Sequence, residues 1–226
     1  MSAEEGYTDE HEAFAASRSS SFVYVPCNEV FFDALDQHAD TSEADVRKPL
    51  LVCGTEGSGK SALLANWVLN RRKHKHKEEF LFHWYAECAE ETRNLVNMLV
   101  RLEKALKEHF QLREMDVPDT EERASWALQR FLTNAVNRRA MPRIVIVVDG
   151  INLLSSSRAP AGSMHWLPME LPASVRFIIS STQFEASREM QDMTDESSMT
   201  KTKTYTECLR RGYPKLVMEA LSVHVR

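Results

Sequence analysis

The 226-residue sequence predicts an α/β fold in which a five-stranded parallel sheet is covered by helices. Three observations support this prediction. Short apolar runs alternate with longer segments whose apolar residues recur at helical spacing. One apolar run ends in a glycine-rich loop, and another contains five consecutive β-branched residues and ends in an aspartate. In a sheet of this kind the C-terminal ends of the strands form the edge at which ligands bind.

Each element follows from a local pattern. Residues 1–20 are polar and Ser-rich, and they are expected to form a disordered tail before a single folded domain over 21–226. Asn28 can cap a first helix, and Asp119 or Thr120 can cap a later one. The expected strands cover about 49–53, 80–86, 144–148, 174–182 and 215–221, and the expected longer helices cover about 60–72, 92–111 and 119–138.

The loop from Gly54 to Ser61 fits G-x-x-x-x-G-K-[ST], the Walker A pattern of a phosphate-binding loop. Glycines allow the backbone N–H groups to turn inward, and the following helix presents its N-terminus to an anion. Lys60 can reach the β- and γ-phosphates of a nucleotide, and the Ser61 hydroxyl can ligate Mg²⁺. The candidate nucleotide-binding residues are Gly54, Thr55, Glu56, Gly57, Ser58, Gly59, Lys60, Ser61 and Ala62.

A second set of candidates follows the other strands. The run Ile144–Val148 ends in Asp149, as a Walker B strand does, and this carboxylate would join Ser61 in holding Mg²⁺. Glu87 follows the second strand, and Ser180–Thr182 end the fourth, so all are expected at the same edge of the sheet. Glu87 is either a catalytic carboxylate or a solvated residue at a strand end. The candidate catalytic residues are Lys60, Asp149 and Glu87.

Composition restricts the function classes. The net charge of −5 and the pI of about 5.9 argue against nucleic acid as the main partner. The sequence has no apolar run of 18 residues and no hydrophobic signal region, so neither a membrane span nor secretion is expected. Four cysteines without a C-x-x-C pair are typical of free thiols in a reducing compartment, which favours a cytoplasmic location.

The segment 48–67 resembles the nucleotide-binding domain of nephrocystin-type proteins, in the NACHT-like branch of the STAND P-loop NTPases. The similarity continues through Asp-Gly-Ile-Asn at 149–152 and Trp-Leu-Pro at 166–168, and it spans about 22–222. The resemblance implies a three-layer αβα sandwich with sheet order 5-1-4-3-2, ATP or ADP with Mg²⁺ as cofactors, and a switch that acts on protein partners. It also implies further C-terminal modules and association with the cytoskeleton or cilium. Tyr24–Pro26 would contact the base, as the stretch before the first strand does in relatives, or else pack as an N-terminal edge of the domain.

The sequence departs from this family where water would be activated. Acidic residues are common at two positions that here carry Asn152 and Leu153, and neither can accept a proton from water. Relatives often place an arginine after the fourth strand, where this chain has Ser180–Gln183. The leading hypothesis is therefore a slowly hydrolysing ATP switch, with a non-hydrolysing nucleotide-stabilised scaffold as the alternative. A small-molecule kinase is a third hypothesis, and the lack of Asn-Lys-x-Asp disfavours a GTPase.

Overall fold

The computed structural model describes residues 3–20, 27–41, 47–74, 79–138, 142–158, 160–186 and 199–219. Its strands are β1 (Leu50–Gly54), β2 (Phe80–Tyr85), β3 (Ile144–Asp149), β4 (Val175–Thr182), β5 (Phe184–Ala186), β6 (Met199–Lys201) and β7 (Lys215–Met218). Five of them form one parallel sheet in the order β2-β3-β4-β1-β7, while β5 and β6 form a separate antiparallel pair. Counted along the sheet from β7, this is the predicted order 5-1-4-3-2, so the topology is confirmed.

The helices are α1 (Ala3–Ser20), α2 (Cys27–Asp40), α3 (Lys60–His74), α4 (Leu95–His109), α5 (Glu121–Arg138) and α6 (Lys203–Arg210). Alternating strand residues pack against α4, α5 and α6 on one face of the sheet. The intervening residues, such as Val52 and Val147, pack against α2 and α3 on the other face. The predicted three-layer αβα arrangement is therefore confirmed. Within the segments listed above, no helix has both the length and the apolar character needed to cross a bilayer.

The N-terminal segment corrects one prediction. Residues 3–20 form helix α1 rather than a disordered tail, and this helix packs on α3 and β2. His11 and Ala15 are buried, and Ala15 lies in a small cluster with Ala65 and Tyr85. The prediction failed because the buried face of α1 contains a histidine and an alanine instead of large aliphatics, so tertiary contacts stabilise a helix that sequence periodicity does not reveal.

A second difference lies between β4 and β7. The polar sequence over 183–204 allows a short helix and then predicts a flexible stretch rich in Ser, Thr, Asp and Lys, but its described parts include the β5–β6 pair, and α6 follows directly. The Thr202 side chain accepts a hydrogen bond from the Tyr205 N–H and so caps α6. Tyr205 and Cys208 then fix the helix against the sheet, because both are buried in the larger core cluster.

Helix α3 is held in position by a buried arginine near its C-terminal end. Arg71 donates to Asp36 and Asp40 of α2, each at 2.8 Å, and to Glu79 just before β2, at 2.6 and 2.7 Å. Its guanidinium also lies 5.1 Å from the ring centroid of Trp67. This one side chain therefore ties the C-terminal part of α3 to α2 and to the residue before β2.

Candidate phosphate-binding site

The loop between β1 and α3 has the backbone of an anion cradle. Gly57 and Gly59 have φ angles of 73° and 92°, in the left-handed region that favours glycine. The N–H of Leu63 donates to the carbonyl of Gly59 at 2.9 Å, so the helical bonding of α3 begins as the loop ends. The first N–H groups of α3 therefore point toward the loop, an arrangement that binds phosphate in many proteins.

Lys60 is the first residue of α3, and its side chain folds back over the loop. Its Nζ donates to the carbonyl of Thr55 at 2.7 Å, to that of Gly54 at 3.3 Å and to the Ser58 hydroxyl at 3.3 Å. Burial lowers the pKa of Lys60, whereas the nearby carboxylates of Asp149 and Glu87 act in the opposite direction. The ammonium is thus held at the center of the loop by groups that an anion can replace.

Asp149 ends β3 and is buried, with 2% of its surface exposed. The Ser180 hydroxyl donates to its Oδ1 at 2.5 Å, and the N–H of Gly150 donates to Ser180 Oγ at 2.8 Å. Burial raises the pKa of Asp149, and hydrogen bonds from the hydroxyls of Ser180 and Ser61 oppose that rise. The carboxylate of β3 and the hydroxyl of Ser61 therefore meet directly, although they lie in different elements.

One cavity of about 480 Å³ collects most of the predicted residues. Its lining includes Glu56, Gly57, Gly59, Lys60, Ser61, Ala62, Glu87 and Asp149. Gly54, Thr55 and Ser58 are absent from that lining, but all three accept hydrogen bonds from the Lys60 ammonium beneath it. The sheet edge thus brings the two predicted motifs together around a single space.

Glu87 lies in the turn after β2, and its side chain is exposed at the cavity wall. Asn152 and Leu153 also line the cavity. The amide oxygen of Asn152 accepts the N–H of Thr182 at 3.3 Å, so this side chain is tied to the end of β4. Among the described residues that line the cavity, Glu87 and Glu56 are the carboxylates besides Asp149, and the charge of Glu87 acts on the pKa of Asp149.

Three further lining residues were not predicted, namely Arg18, Phe184 and Thr202. Arg18 is in α1, which the sequence did not indicate as a helix, and Phe184 and Thr202 flank a segment interpreted as flexible. Of these three residues, Thr202 alone had a recognisable sequence signal, because a threonine immediately before a helix is a common N-cap. The predicted base contact at 24–26 lies outside the described residues.

The oxygen ligands that the protein offers at this cavity suit a nucleotide accompanied by Mg²⁺. Among the described residues, no group of three or more His, Cys, Asp or Glu side chains could hold a metal ion. One hydroxyl and one carboxylate, from Ser61 and Asp149, meet at the cavity. Mg²⁺ commonly uses such a sparse set of protein oxygens, because substrate phosphates and water complete its octahedron.

Sequence comparison finds related proteins over most of the chain. The NACHT domain family model matches residues 48–211. Nephrocystin-3 of Xenopus tropicalis is 29% identical over 136 residues, which are 58% of this chain and 10% of that protein. A TPR repeat-containing protein of Dictyostelium discoideum is 22% identical over 208 residues, or 76% of this chain and 12% of that protein. The chain thus spans about a tenth of the length of these relatives.

Solved structures also resemble the chain at a distance. Drosophila ORC bound to DNA gives a TM-score of 0.49 at 18% identity, covering 93% of this chain and 47% of that one. Cdc6p from Pyrobaculum aerophilum gives a TM-score of 0.47 at 13% identity, covering 91% of this chain and 48% of that one.

Proposed function

The chain belongs to the NACHT domain family of P-loop NTPases, and on that basis we propose that it is an ATP·Mg²⁺-binding switch that hydrolyses ATP slowly. The observation that carries the proposal is the meeting of Lys60, Ser61 and Asp149 around one cavity. Conformational change between nucleotide states would then act on protein partners. A cytoplasmic location, with the cilium or cytoskeleton as a possible site of action, remains part of this proposal.

The roles follow from the chemistry of each group. The loop N–H groups and the start of α3 bind the phosphates, and Lys60 exchanges its loop carbonyl partners for β- and γ-phosphate oxygens. Ser61 and Asp149 would hold Mg²⁺, and the ion would supply positive charge to neutralise the phosphates. A cation beside Asp149 also favours its ionised form, and so offsets the burial that raises its pKa.

Slow turnover is proposed because the site holds few groups that can accept a proton from water. Asn152 and Leu153 lack that capacity, and the Asn152 oxygen is already engaged by β4. Glu87 is the available base, although its exposure leaves it poorly positioned. Phosphoryl transfer depends mainly on positioning and charge neutralisation, so nucleotide binding tolerates these losses better than hydrolysis does.

The binding proposal is tested by titrating Mg²⁺·ATP into wild-type protein and the Lys60→Ala variant. Removal of the ammonium from the phosphates is expected to weaken binding about a hundredfold. Lys73→Ala is the matched control, because Lys73 is an exposed lysine of the same helix and lies outside the cavity. Equal affinities of wild type and Lys60→Ala would refute the proposal.

The non-hydrolysing scaffold remains the second candidate, and the tethered Asn152 amide is the observation in its favour. A phosphate-release assay separates the two functions. Slow turnover that disappears in Asp149→Asn excludes the scaffold, because that variant keeps the side-chain shape but loses the Mg²⁺-binding charge. No release above background from wild type with bound ATP excludes the slow hydrolase.

A further inference from the structure

Helix α1 runs antiparallel to α3, and its C-terminal turn lies beside the phosphate loop. Near the N-terminal half of α1, Glu12 pairs with Arg72, at the far end of α3 from the loop, at 2.5 Å. Near the C-terminal end, the Ser19 hydroxyl donates to the Asn66 side chain at 2.8 Å, less than two turns after Lys60. Ala15 packs between them in a cluster with Ala65. These contacts, from Glu12 to Ser19, therefore fix the position of the last turn of α1.

Arg18 lies in that last turn and lines the cavity that contains Lys60, Ser61 and Asp149. Its guanidinium carbon is 4.9 Å from the ring centroid of Phe14, one turn earlier, and the stacking directs the side chain along the helix. The Arg18 side chain is exposed at the cavity wall, where an anion bound in the cavity can contact it.

The charge balance of the cavity gives this arginine a role. Among the described residues that line the cavity, the cations are Lys60 and Arg18, set against Glu56, Glu87 and Asp149. The end of β4 contributes Ser180 and Thr182 without a cation. A fully ionised nucleoside triphosphate carries more negative charge over its three phosphates than one lysine and one divalent cation together balance.

The position of α1 indicates which phosphate Arg18 meets. Besides α3, the helix contacts β2, the edge strand next to β3. Glu87 follows β2, and Asp149 is the last residue of β3. Both line the side of the cavity that contains the proposed Mg²⁺ ligands. Ser61 and Asp149 would hold Mg²⁺ on this side and the ion would attract the outer phosphates, so Arg18 lies where the end of a bound triphosphate would be.

We propose that Arg18 is a phosphate-binding residue that contacts the terminal phosphate of a bound nucleoside triphosphate and so couples the docking of α1 to the nucleotide state. This inference rests on the proposed nucleotide-binding function. A diphosphate lacks the group that Arg18 binds, so the triphosphate alone strengthens the contact between α1 and the domain. By linkage, docking of α1 raises the affinity for triphosphate by the same factor.

The test compares the affinities of ADP and of a non-hydrolysable ATP analogue, both with Mg²⁺, for wild type, Arg18→Ala and Arg18→Lys. A charge-assisted hydrogen bond to phosphate predicts that Arg18→Ala weakens the triphosphate analogue about tenfold or more and ADP less than about twofold. Lysine keeps the charge without the planar fork, so partial rescue is expected. Arg130→Ala, which removes an exposed arginine from α5 in the opposite helix layer, is the matched control and should change neither affinity.

Hydrogen exchange of the α1 amides gives an independent readout. The triphosphate analogue is expected to protect α1 more than ADP does in wild type, and this difference is expected to vanish in Arg18→Ala. An unchanged ratio of triphosphate to diphosphate affinity in Arg18→Ala would overturn the inference while leaving the proposed function intact. If wild type bound neither nucleotide, the proposed function would fail and the inference with it.

Discussion

Gly54 ends β1, and its lack of a side chain allows β7 to pair closely with that strand. A Cβ atom at this position would lie 2.3 Å from the carbonyl oxygen of Met218 in β7 and 2.7 Å from Ser58 Oγ. The first of these atoms belongs to the backbone, so it cannot move without shifting the strand. Glycine is needed here for space, whereas Gly57 is needed for its φ angle of 73°.

Gly54→Ala is therefore expected to destabilise the protein by about 3 kcal/mol or more, because overpacking against the backbone displaces β7. In Gly57→Ala nothing lies within 4 Å of the added Cβ, so only the left-handed backbone is strained. That strain costs about 1 kcal/mol. Urea unfolding of wild type and both variants measures the difference. Equal losses in the two variants would contradict the steric explanation.

The residues of the site differ in how well sequence could predict them. Lys60, Ser61 and the glycines follow one another in a strand–loop–helix segment, so their local spacing is sufficient. Asp149 was predictable because it follows five consecutive β-branched residues, which form the fully buried strand β3. Arg18 was not, because its place at the cavity depends on the docking of α1 through small and polar side chains. Ser180 was placed at the correct edge, but its hydrogen bond to Asp149 required coordinates.

At the scale of elements, the docking of α1 depends on neutral histidines. The N–H of Tyr85 donates to His11 Nδ1 at 3.2 Å, so this nitrogen must keep its lone pair. Arg72 Nη2 lies 3.0 Å from Nδ1 of His83, and because arginine can only donate, that ring is also neutral and carries its proton on Nε2. Glu12 lies 3.7 Å from that nitrogen, an attraction too weak to offset burial, so the neutral form is retained.

Both histidines have a pKa lowered to about 3. Burial is the main cause for His11, followed by the charges of His83 and Arg101, while Glu12 acts in the opposite direction. For His83, burial is followed by the charges of Arg72 and Arg101. Because the pKa of each histidine in the folded protein lies below the ordinary value of 6.5, the neutral rings contribute fully to the docking of α1 above pH 6.5. This contribution is lost as the pH falls from 6.5 toward 3.

We expect acid to release α1. For each histidine, the protection factors of the α1 amides should fall about thirtyfold between pH 7.5 and pH 5.0, because undocked imidazole binds a proton below pH 6.5. Hydrogen exchange, corrected for the intrinsic pH dependence of amide exchange, measures this loss.

His11→Gln keeps an acceptor for Tyr85 and removes one of the two titrations, so it should roughly halve the pH dependence of the logarithm of protection. His165→Gln, at an exposed site in the loop before β4, is the control. Protection that is equal at both pH values would contradict this account.

At the scale of the whole molecule, the alternation of strands and helices was enough to predict a parallel sheet between helical layers. The strand order came from the family resemblance, because periodicity does not say which strands are neighbours. Helix α6 and the β5–β6 pair were missed for a different reason. Helix α6 has only eight residues, of which Tyr205 and Cys208 join the core cluster, so it is too short to show a helical period. Beside it, the hydrogen bond from Thr202 Oγ1 to the carbonyl of Thr182 at 2.7 Å joins polar groups that carry no hydrophobic pattern.

One buried carboxyl opposes the stability of this fold. Glu103 of α4 is fully buried beside Leu102 and Leu106, and neither of its carboxyl oxygens has a hydrogen-bond partner among the described residues. Burial raises the pKa of Glu103 to about 8 from 4.5. Because the pKa of Glu103 is raised in the folded protein, the contribution of its protonated form to the free energy of unfolding is complete below pH 4.5 and is lost as the pH rises toward 8. Over the interval from pH 4.5 to 7 this loss amounts to about 3 kcal/mol.

Glu103 and the histidines therefore act on opposite sides of the pH–stability profile. The two histidines reduce stability below pH 6.5 and Glu103 reduces it above pH 4.5, so the sum of these three contributions to the free energy of unfolding should be greatest near pH 6.5. Glu103→Met removes the alkaline loss and fills a similar volume, so we expect a gain of about 2 kcal/mol at pH 7.5 and a maximum shifted to higher pH. Urea unfolding from pH 4.5 to 8 measures both effects. Glu108→Met, at an exposed position of the same helix, should leave the maximum where it is. A Glu103→Met profile that still declined above pH 6.5 would place the source of the loss in another group.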